Sequence, residues 1–370
     1  MPAVTAAVSR SDNQQFSVEK LSLEDPRADE VLVQFTAAGI CHTDLEAAAG
    51  HLPTPLPVVA GHEGAGIVRA VGSDVTGFRP GDRVLASFSW CGVCRNCLRG
   101  QPAYCPGHFP LNFGAQRADG TVGLRDGAGE PVRDHFFGQS SFASLSLCRP
   151  SSLIHVPETA LPDHVLAPLG CGIITGAGAV WNSLRVTPGS TIAVFGAGAV
   201  GLSAVMAAAV AGAGRIIVSD PVASRRELAG RLGATDLLDA STGSVVAQIQ
   251  ELTGLGVDYS VESTGIPQVM SDAVAALAPL GSAAILGVAP PDADLQTNAF
   301  DLLSGRTVTG SIVGHQAPAV LIPRVLELNR LGRFPVELLV STYPLGEINT
   351  AVADVRSGAA VKAVLIHGPA

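Results

Sequence analysis

Charge is scarce in this sequence. Asp, Glu, Lys and Arg make up 15% of its 370 residues, against 47% hydrophobic. That balance excludes a disordered or fibrous chain and suits a well-buried α/β protein. Basic runs are missing too: 23 Lys and Arg face 32 Asp and Glu, for a net charge of −9, so no nucleic-acid partner is expected. Nor is there an apolar run long enough to span a membrane. The best candidate, Ala193–Ala213, is broken by Gly196, Gly198, Gly201 and Gly212 and reads as strand, turn and helix. Met1–Arg10 lacks the basic flank and apolar block of an export signal, so the expected location is the cytoplasm, with reduced thiols. The absence of any internal repeat excludes solenoids.

What is present suffices for two domains. In the first third, Val31–Ala37, Gly66–Val71 and Arg83–Ser87 read as strands, with turn signals at Val75–Asp82, giving a mostly antiparallel module. From about Thr175, short apolar strands (Thr191–Phe195, Arg215–Ser219, Asp258–Val261, Ala283–Leu286) alternate with helical stretches (Ala199–Ala211, Ser224–Leu232, Ile266–Leu277). Such alternation predicts a doubly wound parallel sheet. Further helices are expected at Pro318–Leu331 and Leu345–Ser357.

Gly196-Ala197-Gly198-Ala199-Val200-Gly201 fits G-x-G-x-x-G in the right context, directly after a strand and opening a helix. The first glycine permits the tight turn, the second lets backbone approach a pyrophosphate, and the third packs helix on strand. Phosphates then sit at a helix N-terminus, where free N–H groups favour negative charge. Asp220 ends the next strand, where an acid binds the adenosine ribose hydroxyls and repels the extra phosphate of NADP. NAD is therefore expected, although Arg225 and Arg226 lie just beyond and either can receive a phosphate. The competing reading is a structural glycine turn capped by a solvated Asp.

Four of the seven cysteines, Cys91, Cys94, Cys97 and Cys105, fall in one short loop. Thiolates so spaced close a tetrahedron around zinc with Zn–S distances of about 2.3 Å. Four sulfurs leave no position open, so the site is read as structural; an iron–sulfur cluster is the alternative. Cys148 belongs to no cluster and is expected to be a buried thiol.

Cys41-His42-Thr43-Asp44, Gly61-His62-Glu63-Gly64-Ala65-Gly66 and Gly170-Cys171-Gly172 add the ligand types of a three-coordinate catalytic zinc. With these, the four-cysteine loop, the nucleotide turn and Leu303-Ser304-Gly305-Arg306-Thr307, the chain resembles the medium-chain, zinc-dependent alcohol dehydrogenases from end to end. The resemblance implies a GroES-like, mostly β catalytic domain (1–172 and 312–370) and an inserted Rossmann domain (173–311), with the active cleft between them. It implies two zinc ions per chain, the catalytic one on Cys41, His62 and Cys171, with Asp44 orienting His62 and Glu63 behind the metal. It further implies that Thr43 takes the alcohol's proton and that hydride passes to NAD. His42 and Lys362 then lie near the pyrophosphate, and Thr175 beside the nicotinamide, with Val288 in a contacting loop, Leu286–Pro291. For Lys362 the alternative is a solvated lysine.

Two positions depart from the family pattern. Glu46 stands where relatives carry a relay histidine, and His42 where they often carry arginine; His51 is expected to be a loop residue. The stretch Gly170–Val180 and Gly50-His51-Leu52-Pro53 resemble the branch acting on aryl and allylic primary alcohols, with Phe88 a candidate pocket residue or ordinary core. The alternatives are thiol-dependent formaldehyde oxidation, or a dinucleotide-binding protein without zinc catalysis. Relatives are homodimers or homotetramers that associate through the nucleotide domain, here through Thr307–Val313.

Overall fold

The computed structural model describes residues 3–13, 15–290 and 292–368. The chain divides into two compact units. The first comprises Met1–Cys171, Ala317–Pro323 and Glu337–Ala370; the second comprises Gly172–Gln316 and Arg324–Val336.

The first unit is built on two sheets. In one, Ala3–Ser9 and Ser17–Leu23 lie at the centre, flanked by Val58–Val59 on one side and by Leu124–Arg125 and Pro131–Val132 on the other. The larger sheet centres on Val31–Gly39, whose alternation of buried and half-buried residues is the period-2 signature of a strand. Its inward side chains Val31, Val33 and Phe35 pack with Val68, Val84, Ala86, Cys148 and Leu153. Each large apolar side chain so buried contributes about 1.5–3 kcal/mol. Gly64–Val71 and the C-terminal strand Lys362–Ile366 both pair antiparallel with Val31–Gly39, which sets Lys362 next to Ile40. The expected strands at Val31, Gly66 and Arg83 are all present, the second beginning at Gly64.

The second unit holds a six-stranded parallel sheet in the order Asp236–Asp239, Arg215–Asp220, Thr191–Phe195, Val257–Glu262, Leu277–Ile285, Thr307–Gly310. Strand order reverses beside Thr191–Phe195, and a ligand crevice forms at the carboxyl end of such a switch point. Helix Ala199–Ala211 follows it and ends at Gly212 in the left-handed conformation (φ +82°). Asp236–Asp239 and helix Val245–Thr253 had no clear signal in sequence, because acids bracket the two leucines of that outer strand. Leu277–Ile285 starts six residues before the expected Ala283, and its pairing with Val257–Glu262 shifts register between Val257 and Tyr259. Among the described residues no single helix is long and apolar enough to cross a membrane.

Candidate metal centre and nucleotide turn

Two side-chain groups among the described residues are composed to hold a metal ion, and both belong to the first unit. One is Cys41, His62, Glu63 and Cys171, whose ligand atoms all lie within 4.8 Å of one another. Cys41 caps the helix His42–Ala48, which leaves the end of Val31–Gly39. His62 comes from the turn before Gly64–Val71, and Cys171 follows the single turn Ala167–Gly170. The turn into His62 needs glycine: Gly61 has φ +91°, and a Cβ there would come within 2.5 Å of Phe142.

Asp44 ties the cluster together. Its carboxylate accepts from Cys41 N (2.9 Å), Gly61 N (3.1 Å) and His62 Nδ1 (2.7 Å). Since Nδ1 donates, the other ring nitrogen is left as the ligand atom, the usual arrangement behind a metal-bound imidazole. His62 Nε2 is buried and faces the Cys41 thiol. The Cys41 thiol is held well below its ordinary range, first by its hydrogen bond from Cys171 and then, against burial, by His62 and Lys362. Cys171 is pushed well above, by Cys41 and by burial. Burial opposes a charge on His62, but Asp44 and Cys41 outweigh it and raise the imidazole. A thiolate, a second thiol and an imidazole nitrogen aimed inward are the donor set of a catalytic zinc, so these residues fit the ion.

Glu63 is sealed and its carboxyl is raised by burial, with Lys362 opposing. Lys362 Nζ lies 2.6 Å from Glu63 Oε2 and donates to Ile40 O at 2.8 Å. Burial would discharge this ammonium, yet Glu63 and Cys41 hold it protonated. Lys362, expected as a pyrophosphate contact or a solvated lysine, is therefore a buried partner of Glu63 here.

The Thr43 hydroxyl lies 3.9 Å from Cys41 Sγ. Glu46 stands one turn beyond His42, and its two oxygens face two imidazoles, His42 Nε2 at 3.4 Å and His51 Nδ1 at 2.8 Å. His51 is thus not merely a loop residue: it donates to the Glu46 carboxylate. Phe88 is 1% exposed and packs on Trp90 with centroids 5.3 Å apart.

Aromatic residues are only 5% of the chain, but they gather here. Phe137 stacks on the His62 ring at 4.4 Å, Phe136 meets the same ring edge-on at 5.9 Å, and Phe113 backs Phe137 at 5.1 Å. Gln139, fully buried, donates to His62 O and Ser87 O at 2.9 and 2.7 Å and accepts from Gly64 N at 3.2 Å. None of this was visible in sequence, since no spacing rule links residues 136–139 to His62.

In the second cluster, Cys94 and Cys97 sulfurs are 3.4 Å apart, and the Cys91–Cys97 and Cys94–Cys105 pairs 3.9 Å. Ligands 2.3 Å from one ion in a tetrahedron stand about 3.8 Å apart, so the four sulfurs fit a single zinc rather than a cluster of irons. Backbone N–H groups of Val93 and Cys94 draw the Cys91 thiol down to about 6, while burial and its neighbour Cys94 push Cys97 up to about 12. Cys148 is fully buried.

In the second unit the three glycines of the nucleotide turn differ in what surrounds them. Gly196 has φ +93°, closed to most side chains. A Cβ on Gly201 would strike the Gly196 carbonyl, as helix-on-strand packing requires. A Cβ on Gly198 would meet nothing within 4 Å, the open cradle a pyrophosphate needs at the start of Ala199–Ala211. Asp220 accepts from Ala197 N (2.7 Å) and Val222 N (2.8 Å). Arg226 is engaged by Asp239 at 2.8 Å. Arg225 sits in helix Ala223–Arg231, Thr175 is buried in helix Gly172–Gly178, and Val288 is exposed; Pro291, at the end of its loop, lies outside the described residues.

Comparison with known proteins identifies the family and the fold. Residues 27–158 match the alcohol dehydrogenase GroES-like domain and residues 199–328 the zinc-binding dehydrogenase domain. The chain is 45% identical to the geraniol dehydrogenase of Castellaniella defragrans over 98% of its length and 97% of the relative's. It superposes over the whole of both chains on an alcohol dehydrogenase zinc-binding domain protein from Burkholderia ambifaria (48% identity, TM-score 0.96). The benzyl alcohol dehydrogenase of Acinetobacter calcoaceticus also matches over the whole of both chains (42%, TM-score 0.95). A GroES-like, mostly β part joined to a doubly wound Rossmann sheet, the expected fold class, is thus the fold of this chain. It is an alcohol dehydrogenase and belongs to the zinc-binding dehydrogenase family.

Proposed function

We propose that the enzyme interconverts aryl or allylic primary alcohols and their aldehydes with NAD, using one catalytic and one structural zinc per chain. The observation that carries this reading is the convergence of Cys41, His62 and Cys171, with His62 Nδ1 held by Asp44 and Nε2 buried toward the sulfurs. The substrate class is supported by relatives named for geraniol and benzyl alcohol.

Bound zinc supplies a Lewis acid that makes an alcohol acidic enough to lose its proton near neutral pH. Bound NAD supplies the hydride acceptor. The chain's own residues do the rest. Asp44 fixes the imidazole. The Thr43 hydroxyl would accept the alcohol's proton at Oγ1 while passing its own hydrogen on to the cofactor ribose, and Glu46, gripped by His42 and His51, would be the carboxylate that takes the proton at the outer end. Glu63, paired with Lys362, would lie behind the metal. Gly196, Gly198, Ala199, Val200 and Gly201 would cradle the pyrophosphate, with Asp220 on the ribose and Arg225, Thr175 and Val288 around the cofactor.

The same reading includes the assembly and its surroundings. Thr307–Gly310 is an outer strand with one neighbour, and Leu280, Phe300 and Leu303 near it are exposed, as suits pairing of two copies into a dimer or tetramer. Seven free cysteines, six of them in ligand clusters, suit the reducing cytoplasm.

The test is NADH formation with benzyl, cinnamyl, geranyl and short aliphatic alcohols, and with formaldehyde plus thiol. Aryl and allylic alcohols should give the highest kcat/KM, and NADP should serve at least about 100-fold worse than NAD because Asp220 repels its phosphate. Activity confined to formaldehyde with thiol would replace the substrate assignment, and equal use of both cofactors would remove the role given to Asp220.

A further inference from the structure

The segment between strands Pro131–Val132 and Leu145–Cys148 has an uncommon backbone. His135, Phe137 and Ser140 have φ of +62°, +53° and +51°, with Gly138 at +68° among them. Three non-glycine residues in the left-handed region cost free energy, and such a run persists only where its surroundings over-determine it. Here they do. His135 is 1% exposed and donates from Nε2 to Glu30 at 3.0 Å and from Nδ1 to Asp134 at 2.8 Å. Glu30 is itself clamped by Arg117 at 2.6 Å and by the backbone N–H of Arg27 at 2.9 Å. Ser140 Oγ donates to Val59 O at 2.6 Å and accepts from Phe136 N at 2.9 Å. Gln139 fastens the far end to the His62 and Ser87 carbonyls.

These contacts fix the path of the segment at His135, Gln139 and Ser140. What they produce is the placement of Phe137 flat on the His62 imidazole, 4.4 Å away and 24° from parallel, with Phe136 closing the edge. We propose that the left-handed segment is a positioning device for His62: His135 and Gln139 hold Phe137 against the imidazole, so that the ring cannot turn and Nε2 stays aimed at Cys41 and Cys171. Asp44 fixes one in-plane hydrogen bond, about which the ring can still rock. A ring stacked on its face removes that freedom. The proposal rests on the reading of His62 as a metal ligand. It makes His135, Phe137 and Gln139 positioning residues that act through His62.

The experiment loads the protein with Co2+ in place of zinc. It then records the ligand-field bands of the Cys41 site and the rate of metal release to a chelator. Phe137→Leu keeps an apolar side chain of similar bulk and removes the stacked ring. Release from the Cys41 site should quicken about 10-fold or more, the size of effect seen when a group orienting a ligand is lost, and the bands should shift. Release from the four-cysteine site should not change. Phe137→Tyr, which keeps a ring, should restore both readouts. His135→Asn tolerates the left-handed backbone but loses Glu30, and should give an intermediate release rate. Unchanged bands and release in Phe137→Leu, within about twofold, overturn the positioning role while metal loading of the parent leaves the underlying reading intact. A parent protein that takes no Co2+ at Cys41, His62 and Cys171 overturns both. If Phe137→Leu fails to fold, the spectrum and release of His135→Asn decide alone: parental values overturn the proposal.

Discussion

Lys362 Nζ lies 2.6 Å from Glu63 Oε2, and the two side chains are buried together beside Cys41 and His62. A paired charge so deep is tolerated because each member has the other, and removing one exposes the desolvation cost of its partner.

Lys362→Met should therefore destabilise the fold by about 3–5 kcal/mol, and Lys362→Met/Glu63→Gln should regain a large part of that loss. Denaturant midpoints of the parent, both single variants and the double variant measure the coupling. Strictly additive effects would mean that the pair does not act as one.

Asp44→Asn keeps one acceptor oxygen but weakens three bonds at once, to Cys41 N, Gly61 N and His62 Nδ1. Zinc affinity of the Cys41 site should fall about 10–100-fold, with the four-cysteine site unaffected. Competition against a chelator of known affinity reads this directly. Parental affinity in the variant would show that His62 needs no orienting carboxylate.

The Cys91–Cys105 loop has little core of its own, with Val93 and Leu98 largely exposed. Cys105→Ser should lose one metal per chain and lower Tm by roughly 5 °C or more, while the Cys41 site keeps its ion. Elemental analysis beside a thermal melt checks both parts. A variant that retains two zinc ions per chain would contradict the four-sulfur assignment.

Two histidines give stability opposite slopes with pH. Burial and two carboxylates act on His135, and the carboxylates win, raising it to about 9. Its folded value exceeds the unfolded one of about 6.5, so its contribution is full below that pH and is lost as pH rises through 9. His367, buried with Nε2 donating to Ser141 O at 2.9 Å, is lowered by burial to about 4. Its contribution is present above about 6.5 and is lost as pH falls through 4. Stability should peak near pH 6.5. His135→Asn should flatten the alkaline limb and His367→Asn the acid limb, each by up to about 3 kcal/mol relative to the parent at the same pH. Parallel pH profiles in variant and parent would refute the assignment of either limb.

Much of this was legible in the sequence because it is local. Thr191–Phe195 and Ala199–Ala211 have the expected bounds, since period and glycine placement fix both. The four cysteines announce their site by spacing alone. Cys41, His62 and Cys171 do not: 21 and 109 residues apart (62 − 41 and 171 − 62), they meet only because two strands and a helix cap converge, and resemblance had to stand in for geometry. Lys362 read as a candidate for the nucleotide because its pairing with Glu63 depends on the C-terminal strand adding to Val31–Gly39. The left-handed run at His135–Ser140 was invisible. Its cost is met by Glu30, His62 and Ser87, all distant in sequence, and the residues carry no turn signal of their own beyond Gly138.

The scarcity of aromatic residues has an optical consequence. The chain has two tryptophans. Trp90 touches Phe88 and precedes Cys91, in the first unit; Trp181 lies under the Arg324 guanidinium at 4.1 Å, in the second. Each unit thus carries one tryptophan, whose emission is excited apart from that of the three tyrosines. With Trp181→Phe the emission reports on the cysteine loop as it takes up metal, and with Trp90→Phe on the unit that bears the nucleotide turn, without any label.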